Sequence, residues 1–173
     1  MAIYRDNSKR TQPLALDASD AVKHSTDAIA QASAEAIDAA ARAPYRRRLP
    51  DERQAITHKF SVGGHEGYLT VGMYEDGKPG EIFIVMAKQG SVVSGLMDNF
   101  ATAISMALQY GVPLEEYVDT FTFQTFEPRG MVEGHPNIKF STSIIDYVFR
   151  VLGVEYLQQY DFAQVPPKEE QDE

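Results

Sequence analysis

The sequence predicts an α+β fold, in which an antiparallel meander of three strands, or a slightly larger sheet, packs against two to three helices. Three observations predict it. Apolar and polar residues alternate in two runs between residues 55 and 74, short glycine-containing turns bound these runs, and the apolar spacing becomes helical after Gly90. At 173 residues, 43% of them hydrophobic, the chain is long enough to bury one core.

The predicted strands come first along the folded part of the chain. The strand at residues 55–62 places four alternate residues on one face, namely Ile56, His58, Phe60 and Val62. The segment GGHEG, which contains His65, is the first turn, and the next strand directs Leu69, Val71 and Met73 to one face. EDGKPG, residues 75–80, is the second turn. The apolar run EIFIVMA, residues 81–87, is typical of a central strand covered on both faces.

The longest predicted helix follows Gly90, with Ser91 as its N-cap, and ends at Gly111 and Pro113. Its predicted core face has helical spacing and consists of Val93, Leu96, Met97, Phe100, Ile104, Ala107 and Leu108. Its predicted solvent face consists of Asp98, Asn99, Thr102, Ser105 and Gln109.

Two further helices are predicted in the second half of the chain. A short one begins at Pro113 and shares a face between Leu114, Tyr117, Val118 and Phe121. The aromatic segment FTFQTFEPRG is predicted to be extended as far as Pro128, and MVEGHPN is predicted to be a loop. The last helix, residues 140–157, directs Ile144, Ile145, Val148 and Leu152 inward.

Composition divides the chain into four parts. Residues 1–16 form a short basic segment, and residues 17–44 form an Ala-rich linker, partly helical or disordered, because it carries few larger aliphatic side chains. Residues 45–160 form the α+β domain. Residues 161–173 form an acidic, flexible tail.

Composition also excludes several classes of function. The chain has no cysteine, which excludes disulfides, thiolate nucleophiles, cysteine-based zinc sites and dithiol redox chemistry. A net charge of −9 argues against direct binding to nucleic acid or to an anionic membrane. The sequence shows no membrane span and no signal peptide, so we expect a cytoplasmic protein.

Three groups of residues are candidates for ligand or partner binding. Arg46, Arg47 and Arg48 form a basic stretch in an acidic chain, either a solvated edge or a docking patch for an acidic surface or a phosphate. The helix start with Gly90, Ser91 and Ser94 is either an ordinary cap or a phosphate site. The third group is the pair His58 and His65, discussed next.

The histidines leave two interpretations open. His58 lies on the apolar face of a strand and His65 lies in a turn beside Glu66, so both fit simple structural roles. Together with His135, and with Glu66 or Glu127, they are also candidates for a hydrolase or metal site. Their spacing matches no metal signature, so we predict no metal site and no catalytic residue.

Two long stretches carry a family resemblance. Residues 46–130, from RRRLPDERQAITHKF to FQTFEPRG, and NIKFSTSIIDYVFRVLGVEYL, residues 137–157, resemble the C-terminal region of adenosylcobalamin-dependent (class II) ribonucleotide reductases. AIYRDNSKRTQPL, residues 2–14, resembles the segment where long members leave the catalytic barrel. The matching domain is similar to small α+β domains grouped by a terminal Thr-Ser-Cys-Pro-Asp motif, which this chain lacks.

The resemblance implies a role without the family's chemistry. In that family the barrel holds the substrate site, the radical cysteine and the cobalamin contacts. This chain is too short for such a barrel, so none of those catalytic residues carries over. We therefore expect an accessory, non-catalytic component that is inactive alone and binds no cofactor itself. Its expected partner is the barrel-containing catalytic subunit, which would carry adenosylcobalamin, and a second copy of the chain is a further candidate partner.

Three origins fit the resemblance: a separately encoded small subunit of a split reductase, which the native-looking Met1 suits, a stand-alone paralogue, or a piece of a longer enzyme. The alternative function, from another class, is a stand-alone nucleotide- or metabolite-binding regulatory module. It would use the helix start at Gly90–Ser94 and the arginines at 46–48.

Overall fold

The computed structural model describes residues 26, 29–38, 41, 44–88 and 90–166. The chain divides into two units, Met1–Pro44 and Tyr45–Glu173. In the first unit, residues 29–38 form helix α1, whose side chains are all exposed. The basic segment 1–16 and most of the predicted linker lie outside the described residues.

The second unit contains a five-stranded antiparallel sheet with the order β3-β2-β1-β4-β5. Its strands are β1 (Ala55–Val62), β2 (His65–Met73), β3 (Pro79–Met86), β4 (Gly130–Glu133) and β5 (Phe140–Ser141). The α+β class and the three-stranded meander are therefore confirmed, and two short strands enlarge the sheet. MVEGHPN was wrongly predicted to be a loop throughout, because its Val132 is buried opposite Val62 on β1.

The first turn is shorter than predicted. Val62 pairs with His65, and Gly63 and Gly64 between them both have positive φ angles, 54° and 81°. Two such residues form the tight turn that suits the twist of antiparallel strands. His65 is therefore the first residue of β2 and does not belong to the turn.

Strand β3 was wrongly predicted to be central and covered on both faces. It lies at the edge of the sheet, where Ile82, Ile84 and Met86 are buried while Phe83 and Val85 are 48% and 42% exposed. The continuous apolar run gave the wrong prediction because the apolar residues on the outer face of this strand are exposed to solvent.

Helix α2 (Val92–Gln109) is confirmed, including its cap, since the Ser91 hydroxyl accepts a hydrogen bond from the Ser94 N–H at 3.1 Å. Its buried apolar face consists of Met97, Ala101, Ile104 and Leu108. Val93 and Leu96 were wrongly placed on that face, because they are 49% and 65% exposed. The apolar residues of α2 form a stripe too wide for one buried face.

Two polar residues of α2 cover the free edge of β3. The Ser105 hydroxyl accepts a hydrogen bond from the Ile82 N–H at 2.9 Å, and the buried Gln109 amide donates to the Gly80 carbonyl at 3.1 Å. Both residues had been assigned to the solvent face. They turn inward because an edge strand offers backbone groups that need partners.

Helix α3 (Leu114–Phe121) begins directly after its N-cap, Pro113, and buries Leu114 and Val118, as predicted. Helix α4 (Ile144–Leu157) begins four residues later than predicted, since Ser143 caps it through the Asp146 N–H and residues 140–141 belong to β5. All residues from Ile144 to Val154 are buried, so α4 is the central helix of the unit.

The chain after α4 extends the folded part beyond the predicted end at residue 160. A short 3-10 turn, Tyr160–Phe162, is followed by Gln164 and Val165, whose N–H groups both donate to the Asn137 carbonyl at 3.0 Å. The Gln164 side chain accepts from the Lys139 N–H and donates to the Phe140 carbonyl at the outer edge of β5. Residues 162–165 of the predicted tail therefore form hydrogen bonds within the described structure, and residues 167–173 lie outside the described part.

Candidate functional site

The main candidate site is a groove beside the N-terminal half of α2, which we call the α2 groove. It consists of two adjoining cavities of about 580 Å³ and 450 Å³ that share Val93, Pro128 and Ile144. Leu96, Phe100 and Phe126 line the larger, apolar cavity. His65, Glu66, Lys88 and Ser91 line the smaller one.

The wall of the groove opposite α2 is segment 122–129, which a buried carboxylate holds in place. Asp146 is fully buried and accepts hydrogen bonds from the N–H groups of Phe123 at 2.6 Å and Thr142 at 2.9 Å. Arg150 donates its Nε–H to the same carboxylate at 2.9 Å. Because Phe123 lies in this segment, three residues before Phe126, the buried Asp146–Arg150 pair, which we call the node, fixes the position of this wall.

The groove is apolar and open. Leu96 and Phe126 are 65% and 46% exposed, and Val92 at the start of α2 is 79% exposed. A contiguous apolar surface left in solvent is typical of a site that a partner covers. The predicted residues His65 and Ser91 both line the smaller cavity, whereas Ser94 is buried and lines neither cavity.

A second candidate site lies at the other end of α2. This cavity of about 690 Å³, the tyrosine–arginine cavity, is lined by Tyr45, Arg47, Tyr74, Asp76, Lys78 and Tyr110, among others. The Arg47 guanidinium lies 4.1 Å above the centre of the Tyr74 ring, and the Tyr74 hydroxyl donates to the Arg47 carbonyl at 2.6 Å. Burial raises the pKa of Tyr74, so its hydroxyl keeps its proton.

The three arginines have different surroundings. Arg46 is half-buried and donates its Nε–H to the Gln109 side chain at 2.8 Å. Arg47 lies 3.8 Å from Asp76, and both side chains remain exposed. Arg48 is exposed and forms no hydrogen bond or ion pair within the described part of the chain.

The two groups that the alternative function would use lie at opposite ends of α2. Arg47 contacts the C-terminal end of α2, whereas Gly90 and Ser91 precede its N-terminal end. The 18 residues of α2 separate the two ends by about 27 Å. One small ligand therefore cannot touch both groups.

The histidines are also divided. His58 and His135 lie together, with ring centroids 6.3 Å apart, whereas His65 lies beside Val62, four residues further along the hairpin, about 13 Å. Among the described residues, no group of three or more His, Asp, Glu or Cys side chains is arranged to hold a metal ion. Glu127 pairs instead with Arg129.

The hydrogen bonds of His135 fix one neutral tautomer of its ring. Its Nδ1 accepts hydrogen bonds from the N–H groups of Asn137 and Ile138, both at 3.2 Å, so its Nε2 carries the proton and donates to Glu155. Burial lowers the pKa of His135, although Glu155 opposes this shift. The neighbouring Tyr147 hydroxyl and His58 Nε2 are buried without partners in the described structure. Burial also raises the pKa of Tyr147 strongly.

Sequence reasoning missed the residues that shape both sites. Helical spacing assigns Leu96 to the core face of α2, Phe126 lies in a segment predicted only to be extended, and Tyr45 and Tyr110 carry no signal of their own. The available signal for the groove was the excess of apolar residues on α2. For the tyrosine–arginine cavity, the only signal was the position of two tyrosines. Tyr74 precedes the turn that contains Asp76, and Tyr110 precedes Gly111 at the end of α2; both places lie close to Arg47.

Comparison with known proteins identifies the family. The sequence model of the TSCPD domain family matches residues 42–156. The chain is 48% identical over 163 residues, 94% of its length, to a vitamin B12-dependent ribonucleotide reductase of Rhodopirellula baltica, and 58% identical over 120 residues, 69% of its length, to one of Agrobacterium fabrum. It is 46% identical over 157 residues, 91% of its length, to one of Streptantibioticus cattleyicolor.

The match covers only a small part of these relatives. The chain spans 15%, 9% and 25% of their respective lengths, so it corresponds to one domain of each. No solved structure matches the chain. In the described residues, no helix is both long and apolar enough to cross a membrane. The family match, which extends over residues 42–156, establishes that the chain belongs to the TSCPD domain family.

Proposed function

We propose that the chain is an accessory, non-catalytic component of a class II, adenosylcobalamin-dependent ribonucleotide reductase, which supports the conversion of ribonucleotides to deoxyribonucleotides for DNA synthesis. The observation that carries the proposal is the α2 groove, whose apolar side chains stand in solvent where a partner would cover them. The cytoplasmic location expected from the sequence remains a prediction.

The chemistry is assigned to the partner because this chain lacks the groups for it. It has no cysteine to carry a thiyl radical or a reducing dithiol. The cavities of its described part, about 440 to 690 Å³, suit ligands of drug size, and a corrinoid cofactor is much larger. We therefore place adenosylcobalamin on the catalytic part, and no step of the reaction on this chain.

The proposed contact is a hydrophobic one. The exposed side chains of Leu96 and Phe126 line the same apolar cavity and offer an anchor site of the kind that carries most binding energy in protein interfaces. The occupant is an apolar segment of the barrel-containing catalytic subunit, because the relatives place the matching domain within a much longer polypeptide.

Binding in trans tests the proposal. The Rhodopirellula baltica reductase is prepared without the region that matches this chain, and the chain is added as a separate protein. We expect co-elution on size-exclusion chromatography and a gain in cobalamin-dependent ribonucleotide reduction. Leu96→Asp should weaken the complex at least tenfold, because it places a charge in the apolar contact.

The matched control is Met106→Asp, which changes an exposed apolar residue of the same helix outside the groove. It should bind like the wild type. If the catalytic protein neither binds the chain nor responds to it, the accessory role is wrong. If Met106→Asp weakens binding as much as Leu96→Asp, the groove is not the contact.

The alternative function, a nucleotide- or metabolite-binding module, draws support from a separate observation, the tyrosine–arginine cavity. The binding site of this module would consist of the tyrosine–arginine cavity without Gly90–Ser94, because these residues lie at the opposite end of α2. A thermal-shift screen of the chain against nucleotides and cobalamin is the first test, and unchanged melting temperatures throughout would count against it.

A further inference from the structure

The tyrosine–arginine cavity combines three kinds of group around one space. Tyr45 and Tyr110 present aromatic rings that are exposed, the whole residues being 83% and 48% accessible. Arg47 and Lys78 supply cations, and Asp76 and Glu115 supply carboxylates. With about 690 Å³ the cavity has the size of a small-molecule site.

The aromatic rings are available for stacking. Tyr74 is already covered by the Arg47 guanidinium and its hydroxyl is hydrogen-bonded, so this ring is part of the wall. In the described structure, neither Tyr45 nor Tyr110 has a ring contact with another aromatic or cationic side chain. Exposed tyrosines that stack on nothing suit a flat aromatic ligand, because stacking removes apolar surface on both partners from water.

The cations are positioned by the fold. The Arg47 backbone N–H donates to the Gln109 carbonyl at 2.8 Å, which fixes the residue at the end of α2. Its stacking on Tyr74 then holds the guanidinium plane over the cavity wall. Lys78 lies in the same wall and its ammonium forms no ion pair within the described residues. Arg46, which donates to the Gln109 side chain of the cavity lining, adds positive charge next to the site.

The carboxylates of Asp76 and Glu115 complete the set. A carboxylate can accept hydrogen bonds from hydroxyl groups, as acidic residues do from ribose in dinucleotide sites, and Asp76 also accepts one from the Lys78 N–H at 3.1 Å. A nucleoside phosphate offers a flat ring, sugar hydroxyls and an anionic group in one molecule. A hydrophobic ligand would leave the Lys78 ammonium and the Glu115 carboxylate without a partner in the cavity, and a bare phosphate would leave the rings unused.

We propose that the tyrosine–arginine cavity binds a nucleoside phosphate, with the base against Tyr45 and Tyr110, the sugar hydroxyls at Asp76 or Glu115, and the phosphate at Arg47 and Lys78. This site lies at the opposite end of α2 from the α2 groove. The inference rests on the alternative function, which it deepens by naming one ligand class and its contacts, and not on the accessory role; the accessory role and this site can each fail without the other.

Titration of the full chain tests the inference. Isothermal titration calorimetry uses AMP, ADP, CMP and their deoxy forms, with adenosine and inorganic pyrophosphate as the two partial ligands. We expect at least one nucleotide to bind more tightly than both adenosine and pyrophosphate. Affinity should fall with rising salt concentration, because the phosphate contact is ionic.

Variants locate the binding. Tyr110→Ala and Arg47→Gln should each weaken nucleotide binding about tenfold, the expected size of one lost stacking or charged contact. Tyr68→Ala, at an exposed tyrosine of the outer sheet face, and Arg129→Gln, at an arginine that pairs with Glu127, are the matched controls and should bind like the wild type. Thermal melting of each variant checks that it is folded.

Three results would overturn the inference. One is the absence of heat with every nucleotide at millimolar concentration. Another is equal affinity for pyrophosphate and nucleotides, which would remove the base from recognition. The third is unchanged affinity in folded Tyr110→Ala and Arg47→Gln.

Discussion

The two ends of helix α2 offer opposite chemistry to a partner. At the N-terminal end, Val93 and Leu96 stand exposed beside Phe126 and form an apolar groove. At the C-terminal end, Tyr110 meets Arg47 and Lys78 in a cavity rich in charge. The difference teaches that one rigid element can carry two sites with different ligands, since Leu96 and Tyr110, which line them, lie about 21 Å apart along the helix.

The largest effect should come from the node that holds the wall of the groove. Asp146→Asn leaves Arg150 buried without its carboxylate, so it should lower the free energy of unfolding by about 3–5 kcal/mol. Urea denaturation followed by circular dichroism measures this loss. Asp161→Asn, at an exposed residue after α4, should change stability by less than about 0.5 kcal/mol. Similar midpoints for the two variants would show that the node is not structural.

The next prediction separates the two ends directly. Leu96→Asp should lose binding to the catalytic subunit while its nucleotide affinity stays within about twofold of the wild type, because Tyr110 of the cavity lies about 21 Å further along α2. Tyr110→Ala should show the reverse pattern. Calorimetry with nucleotide and size-exclusion chromatography with the catalytic subunit are run on both variants. If either variant impairs both kinds of binding equally, the two ends form one site.

A smaller effect concerns the cap of α2. Ser91→Ala removes the hydroxyl that accepts from the Ser94 N–H, so it should cost about 1 kcal/mol of stability and fray the turn that carries Val93. Ser91→Asp retains an acceptor and should remain close to the wild type. Urea denaturation compares the three proteins, and equal losses for Ala and Asp would contradict the assigned role of the cap.

The smallest effect is a dependence of stability on pH that involves neither end of α2. The pKa of His135 is lowered in the folded state, so the unfolded state takes up the proton first as the pH falls. The free energy of unfolding should therefore decrease as pH drops below about 6.5, the ordinary value for histidine. Denaturation at pH 7.5 and pH 5.5 measures the slope.

The matched variants are His135→Gln, which should lose this part of the slope, and His65→Gln, which should keep it, because His65 is exposed at the start of β2. A slope that survives in His135→Gln would assign the effect to other groups.

Much of the fold followed from local patterns in the sequence. The meander and the limits of α2 rest on periodicity and on caps such as Ser91, which act within a few residues. Errors arose where distant contacts decide. The sequence of β3 is typical of a central strand. The structure shows that β3 is an edge strand, because it pairs with β2 and with no other strand of the described sheet. Ser105 and Gln109 read as solvent residues, yet they bond to that edge.

The candidate sites were less predictable for the same reason. Arg47 and His65 could be singled out as unusual residues, but their neighbours come from elsewhere in the chain. Tyr110 joins Arg47 only because α2 ends where the segment before β1 crosses it, as the bond from Arg47 to Gln109 records. Such contacts between residues distant in sequence depend on tertiary packing, which no local sequence pattern encodes.

The covering of the sheet edges has a consequence for aggregation in a concentrated protein solution. An open edge strand is a template on which other chains can add strands, and repeated addition builds fibres. Ser105 and Gln109 block backbone groups at β3, and the side chain of Gln164 does so at β5. A domain closed in this way can present large apolar areas for recognition while its sheet resists growth by strand addition.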